Sequence, residues 1–271
     1  MKLSYQVAAP DVKEGPGVTA YQGDIERSFE RLKETGYEGA ELMVCNPKSF
    51  DWEKIRELSQ KYKLEIPMIC TGEVFGQDGL TFSDTDNKRR DEAILRAMAA
   101  VDLAQFLGAQ INVGRLRGGY MFGQDDKECI ARSVDGLSQV ASYAGEKKVY
   151  MALEPVNPIA SNFINTTQEG LEMLEIIKKP YCSLMLDSNH MFISDLNMFY
   201  SIRQAKGKFT YVHLADSNRL YPGNCKLDFS TFIQTLKETG YDGWVSVEVF
   251  QRPDQDTALE KSFEYLNRLI S

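Results

Sequence analysis

VYMALEPVNPIASNFINTTQEGLEMLEIIKKPYCSLMLD, residues 149–187, carries the pattern on which the fold turns. A short apolar run of β-type residues, Val149 to Glu154, gives way to an amphipathic segment near 166–178. A second such run, Ser183 to Asp187, follows. Strand, helix and strand in that order are the repeat of a parallel sheet. The helix carries its own start signal: Thr166-Thr167-Gln168-Glu169 has the S/T-x-x-E spacing in which hydroxyl and carboxylate each satisfy an orphan backbone donor.

The same alternation extends outward to both ends of the chain. Further strand candidates are Leu3 to Ala8, Gly39 to Val44, Glu65 to Cys70, Ala109 to Gly114, Phe209 to Leu214 and Trp244 to Val249. Helical candidates lie near 24–35, 51–63, 87–107, 125–146, 194–206, 229–239 and 254–270. Glycines at 36, 108, 207 and 240 follow helical stretches, where a residue that tolerates positive φ is wanted. Eight βα units in 271 residues is about 34 residues each, the size of a closed (β/α)₈ TIM barrel. No linker or low-complexity tract divides the chain, so residues 1–271 are expected to form one α/β domain. An open doubly wound sheet is the runner-up, disfavoured because no G-x-G-x-x-G follows the first strand and no P-loop occurs.

Composition narrows the chemistry. The chain is 43% hydrophobic and 26% charged, enough apolar material for a large core. A net charge of −8 argues against nucleic-acid backbone and anionic membrane as partners, leaving a small polar substrate. No run of about 18 apolar residues exists to span a bilayer, and the opening MKLSYQVAAPDVKEG lacks a signal peptide's apolar region, so a cytoplasmic protein is expected. The five cysteines show no CxxC pair, and two histidines exclude any site that needs three imidazoles.

In a barrel, the working residues stand at the C-terminal ends of the strands. There the last four units place Glu154, Asp187, His213 and Glu248, each about one βα unit from the next. Three carboxylates at one barrel mouth repel unless a cation joins them. Taken singly, each residue is explained as well by a cap, an ion pair or a satisfied core histidine; four in equivalent places point to a metal. Oxygen-rich ligands favour Mn²⁺ first, with Mg²⁺ or Co²⁺ as alternatives. His190 and Arg219, on the loops just beyond, are suited to stabilise charge on a substrate oxygen. A solvated loop histidine and an exposed ion pair are the blander readings of those two. Arg115 and Arg117 after the fourth strand suggest a substrate with an anionic distal end; an exposed basic loop explains them equally well.

The motifs E-P-x-N at 154–157, L-D-S-N-H-M at 186–191, H-L-A-D-S-N-R at 213–219 and V-S-V-E-V at 245–249 resemble the sugar isomerase/epimerase superfamily of xylose isomerase-like barrels. Within it they are most similar to the D-tagatose 3-epimerase, D-psicose 3-epimerase and 5-keto-gluconate epimerase group. The likeness covers nearly the whole chain, including TGEVFGQDGLTF at 71–82 and GRLRGG at 114–119. It implies that Glu154, Asp187, His213 and Glu248 hold one Mn²⁺-type ion, that Glu154 and Glu248 are also the acid/base pair, and that His190 and Arg219 contact the O1–O2 end of the substrate. It also implies a homodimer or homotetramer. One departure stands out: relatives read E-P-L-N-R-Y-E where this chain reads Glu154-Pro155-Val156-Asn157-Pro158-Ile159-Ala160. Ala160 cannot replace a carboxylate, so the C1–C2 end of the substrate is expected to be handled differently.

The expected reaction is metal-dependent epimerisation at C3 of a ketose or keto-sugar acid through an enediolate, with one carboxylate on each face of the reacting carbon. Two alternatives use the same residues: an aldose–ketose isomerase of the hydroxypyruvate-isomerase type, and a sugar-binding protein without turnover, prompted by Ala160.

Overall fold

In a computed structural model, which describes residues 1–270, all eight apolar runs become strands of one closed barrel. They are β1 (Lys2–Ala8), β2 (Gly39–Met43), β3 (Met68–Cys70), β4 (Gln110–Val113), β5 (Met151–Leu153), β6 (Cys182–Asp187), β7 (Phe209–Leu214) and β8 (Trp244–Val247). Every strand runs parallel to both neighbours, and β8 closes on β1 with Val247 opposite Tyr5. The helices are α1 (Ile25–Thr35), α2 (Trp52–Tyr62), α3 (Gly72–Gly76), α4 (Asn87–Leu107), α5 (Asp126–Lys147), α6 (Thr167–Ile177), α7 (Ser188–Ser194), α8 (Met198–Gln204), α9 (Phe229–Glu238) and α10 (Gln255–Ile270). The chain is thus a single (β/α)₈ barrel.

Strand alternation sorts side chains into two compartments. Leu3, Tyr5, Val7, Leu42, Val212, Leu214, Val245 and Val247 belong to the large core under the helices. Positions of the opposite parity point inward. Met68, Ala152, Met185 and Tyr211, from β3, β5, β6 and β7, pack together although β3 and β7 are not neighbours, so they meet across the barrel axis. Two residues further along β6 and β7, the same inward face presents Asp187 and His213, which are register partners. An apolar plug therefore fills the barrel, and a polar layer sits on it.

Local signals act where the sequence placed them. Thr166 and Glu169 form the reciprocal capping box of α6. Gly36 and Gly108 cap α1 and α4 at φ 111° and 76°, a region costly for any residue with a Cβ. Two departures bear on the site. The third strand is shorter than expected: Glu65 makes only an isolated bridge to Gly39, and Pro67, which has no N–H to give a ladder, precedes the first regular residue, Met68. The helix expected near 194–206 is the shorter α8, and an additional helix, α7, precedes it. This added helix starts directly at the strand end because the Asp187 carboxylate accepts from the backbone N–H groups of Asn189 and His190, at 2.8 and 2.9 Å. Among the described residues, no helix is long and apolar enough to cross a membrane.

Candidate metal centre and active site

Glu154 lies one residue past β5, Asp187 ends β6, His213 lies in β7, and Glu248 lies one residue past β8. One ligand atom from each falls within 4.8 Å of all the others, and all four residues are buried. His213 Nδ1 is 3.0 Å from Glu248 Oε2, 3.7 Å from Glu154 Oε1 and 3.8 Å from Asp187 Oδ2. Two of these facing atoms, Glu154 Oε1 and His213 Nδ1, are buried without any hydrogen-bond partner. Buried polar atoms are almost always satisfied, so two orphans aimed at one centre among carboxylates fit a divalent cation. The donor set of three carboxylates and one imidazole suits a hard or borderline ion.

The rest of each ligand is held by the chain. His213 Nε2 meets both carboxylate oxygens of the fully buried Glu41, at 2.8 and 3.0 Å, and Gln6 Nε2 donates to Glu41 Oε1 at 2.8 Å. With Nε2 committed to Glu41, Nδ1 is the ring nitrogen left facing the centre. Thr19 donates to Glu248 Oε1 at 3.0 Å, and Asn112 Nδ2 lies 3.3 Å from Glu154 Oε2. Each glutamate therefore has one oxygen anchored by a neutral donor and the other turned to the centre. Burial alone would push His213 down, but Glu41 and Glu248 outweigh it and hold the imidazole well above its ordinary value. Burial would likewise raise Glu248, yet Arg219 and His213 keep it well below the carboxylate range.

Arg219 reaches the centre from the loop after β7. Its guanidinium donates to Asp187 Oδ2 at 2.8 Å and to Glu248 Oε2. The residue sits at φ 61°, an uncommon region for a side chain of this size. Its own N–H donates to Asp216 O and its carbonyl accepts from Phe250, which holds that conformation. The loop is organised by the buried Asp216 carboxylate, which accepts from the N–H groups of Gly223, Cys225 and Leu227. His190, in the first turn of α7, has Nδ1 at 2.8 Å from Asn157 Nδ2. Asn157 Oδ1 is taken by Ile159 N–H, so the amide donates to His190 and Nε2 carries the imidazole proton, 3.8 Å from Glu154 Oε1.

A cavity of about 400 Å³ opens over the centre and is lined by Glu154, Glu248, His190, Arg219 and Arg115, among others. Ile159, Ala160, Ile193 and Phe250 give it an apolar side. The two loop arginines part company here. Arg115 lines the cavity over the Phe75 ring, 3.5 Å from the buried Glu73. Arg117 is fully buried and turned away from it. Its guanidinium donates to the carbonyls of Gly114, Glu154, Phe163 and Ile164, tying the loops after β4 and β5 together, and burial pushes its pKa down to about 10. The expected role of Arg117 at the substrate is therefore corrected: its donors are spent on backbone. Glu41, Asn112, Thr19 and Glu73 escaped the sequence reading. Glu41 was findable by the criterion that picked out Glu154, since an acid within the apolar run G-A-E-L-M demands a partner.

Fold and site together define a (β/α)₈ barrel with a buried carboxylate–histidine centre at the C-terminal mouth of its last four strands. The family described as xylose isomerase-like TIM barrel matches residues 29–269, and the chain belongs to it. An L-ribulose 3-epimerase of Methylomonas sp. (strain DH-1) is 30% identical over 232 residues, 84% of this chain and 79% of that protein. A ketose 3-epimerase of Arthrobacter globiformis is 29% identical over 234 residues, 83% of this chain and 78% of that one. Both names denote enzymes of the isomerase class. The fold is shared with the crystal structure of D-allulose 3-epimerase from Methylomonas sp. in complex with D-allulose, at a TM-score of 0.82 and 24% identity, covering 99% and 97% of the two chains.

Proposed function

We propose that this protein is a divalent-metal-dependent epimerase that inverts C3 of a ketose. The observation that carries the reading is the four-residue centre, in which two glutamates from the two outer strands, β5 and β8, flank one point. The 3-epimerase names of the two curated relatives support the same carbon. Glu154, Asp187, His213 and Glu248 would hold the ion, with Mn²⁺ the first choice. When bound, it supplies Lewis-acid stabilisation of negative charge on the substrate oxygens.

Glu154 takes the C3 proton from one face as the C–H electron pair moves into the C2 carbonyl, leaving an enediolate. Glu248, entering the turnover as the protonated acid, gives its proton to C3 on the other face; Glu154 is left protonated and Glu248 ionised, so the reverse reaction exchanges the two roles. His190, with its proton on Nε2, donates toward the oxygen on which charge develops. Arg219 holds the Asp187 and Glu248 side chains in position through the hydrogen bonds it donates to them. No redox cofactor is required, because the substrate gains and loses the same number of electrons. A cytoplasmic homodimer or homotetramer is part of the reading, and light scattering on the purified protein tests the assembly.

The deciding experiment is proton NMR of Mn²⁺-loaded protein with ketoses in deuterated water. Solvent deuterium at C3, with growth of the C3 epimer, is the expected result. Deuterium at a neighbouring carbon with an aldehyde product would mean aldose–ketose isomerisation instead. Binding without any exchange would mean a sugar receptor.

A further inference from the structure

A second cavity of about 410 Å³ adjoins the one over the centre, and the two share Arg115, Ile159 and Ala160 as common wall. The lining of the second includes Phe75, Tyr120, Thr81, Ser83 and Asn162, two aromatic rings and a set of small polar groups. Rings that offer a flat apolar face beside hydroxyl and amide groups suit a sugar or another polar, uncharged ring. Ala160, which carries only a methyl group, lines both cavities.

Charge decides what the second cavity accepts. Arg115 is the only lysine or arginine among its lining residues; Asp84 stands in the same wall, paired with Arg89 at 2.8 Å. Arg115 is already engaged: Nη2 donates to Gly72 O at 3.3 Å and lies 3.5 Å from Glu73 Oε1. The other arginine expected to read an anion, Arg117, is buried on backbone carbonyls. A phosphate or carboxylate would thus meet a single guanidinium, whose charge the buried Glu73 already balances.

Resting on the epimerase reading and extending it, we infer that the substrate is a ketose carrying a neutral glycosyl group on its distal end, not a free monosaccharide or a sugar phosphate. The keto end reaches Glu154 and Glu248, the chain passes Ala160 and Arg115, and the glycosyl ring occupies the second cavity against Tyr120. The Tyr120 ring also meets Phe163 edge-on at 5.8 Å, but the Tyr120 backbone is held separately by the Asn162 side chain, so truncating the ring leaves the loop's own hydrogen bonds in place.

The test is titration calorimetry of the Mn²⁺-loaded protein and its Tyr120→Ala variant with three probes: D-fructose, D-fructose 6-phosphate, and isomaltulose, which carries a glucosyl group on the 6-oxygen of fructose. The expected result is isomaltulose binding at least about tenfold more tightly than fructose or its phosphate, with the advantage lost in Tyr120→Ala while fructose affinity is unchanged. Equal affinity for isomaltulose and fructose, tighter binding of the phosphate, no binding of isomaltulose, or an advantage that survives Tyr120→Ala would each overturn the inference. Calorimetry reads binding alone, whereas deuterium exchange at C3 reads the epimerase chemistry, so failure of one is separable from failure of the other.

Discussion

Glu41→Gln is the sharpest probe of how the centre is built. The carboxylate is fully buried, accepts the His213 Nε2–H through both oxygens, and is held by Gln6. A glutamine keeps the volume and can still accept one hydrogen bond, so the variant should fold. It loses the negative charge that makes His213 a stronger donor to the ion and that fixes the ring with Nδ1 facing inward. Loss of such a partner costs about 10- to 100-fold in metal affinity, roughly 1.4 to 2.7 kcal/mol. Competition for Mn²⁺ between protein and a chelator, followed by the spin-resonance signal of free Mn²⁺ at fixed pH, measures this directly. Far-ultraviolet circular dichroism confirms the fold. Folded Glu41→Gln protein that binds Mn²⁺ within about twofold of the parent would refute the claim that Glu41 orients and charges His213.

Other expectations follow from the same geometry. Glu154→Gln and Glu248→Gln should each lower C3 proton exchange by about 100-fold or more if, as proposed, each removes one face's proton carrier as well as a ligand charge; deuterium incorporation measures it. Arg117→Met should lower stability by about 2–3 kcal/mol in urea denaturation, through the Glu154 carbonyl and the packing it loses, while the carbonyls of Gly114, Phe163 and Ile164 keep second donors in Arg117 N–H, Ser161 Oγ and Val156 N–H. Thr166→Ala should cost about 1 kcal/mol in the same assay by breaking the α6 capping box. Chelating the metal should lower the unfolding temperature, and added Mn²⁺ should restore it in a concentration-dependent way, because the ion binds only the folded barrel.

Sequence alone determined the barrel and the four members of the centre. Both are written in a period: a strand–helix repeat eight times over, and an acid or histidine at or next to the end of each of the last four apolar runs, where burial of a lone polar group is too costly to be accidental. Glu41 obeys the same rule but lies in β2, far along the chain from the others, and only closure of β1 to β8 sets it against His213. Tertiary structure also decided the fates of Arg115 and Arg117. Two residues apart in one short turn, they are equivalent as letters, yet one lines the cavity and the other is buried under the β5 loop. Composition and spacing carry no record of which way a turn faces. The α7 start at Asp187 was hidden for a related reason: a carboxylate at a strand end can cap a helix, bind an ion or pair with an arginine, and only the positions of Asn189, His190, His213 and Arg219 around it show that one oxygen caps α7 while the other faces Arg219 and His213.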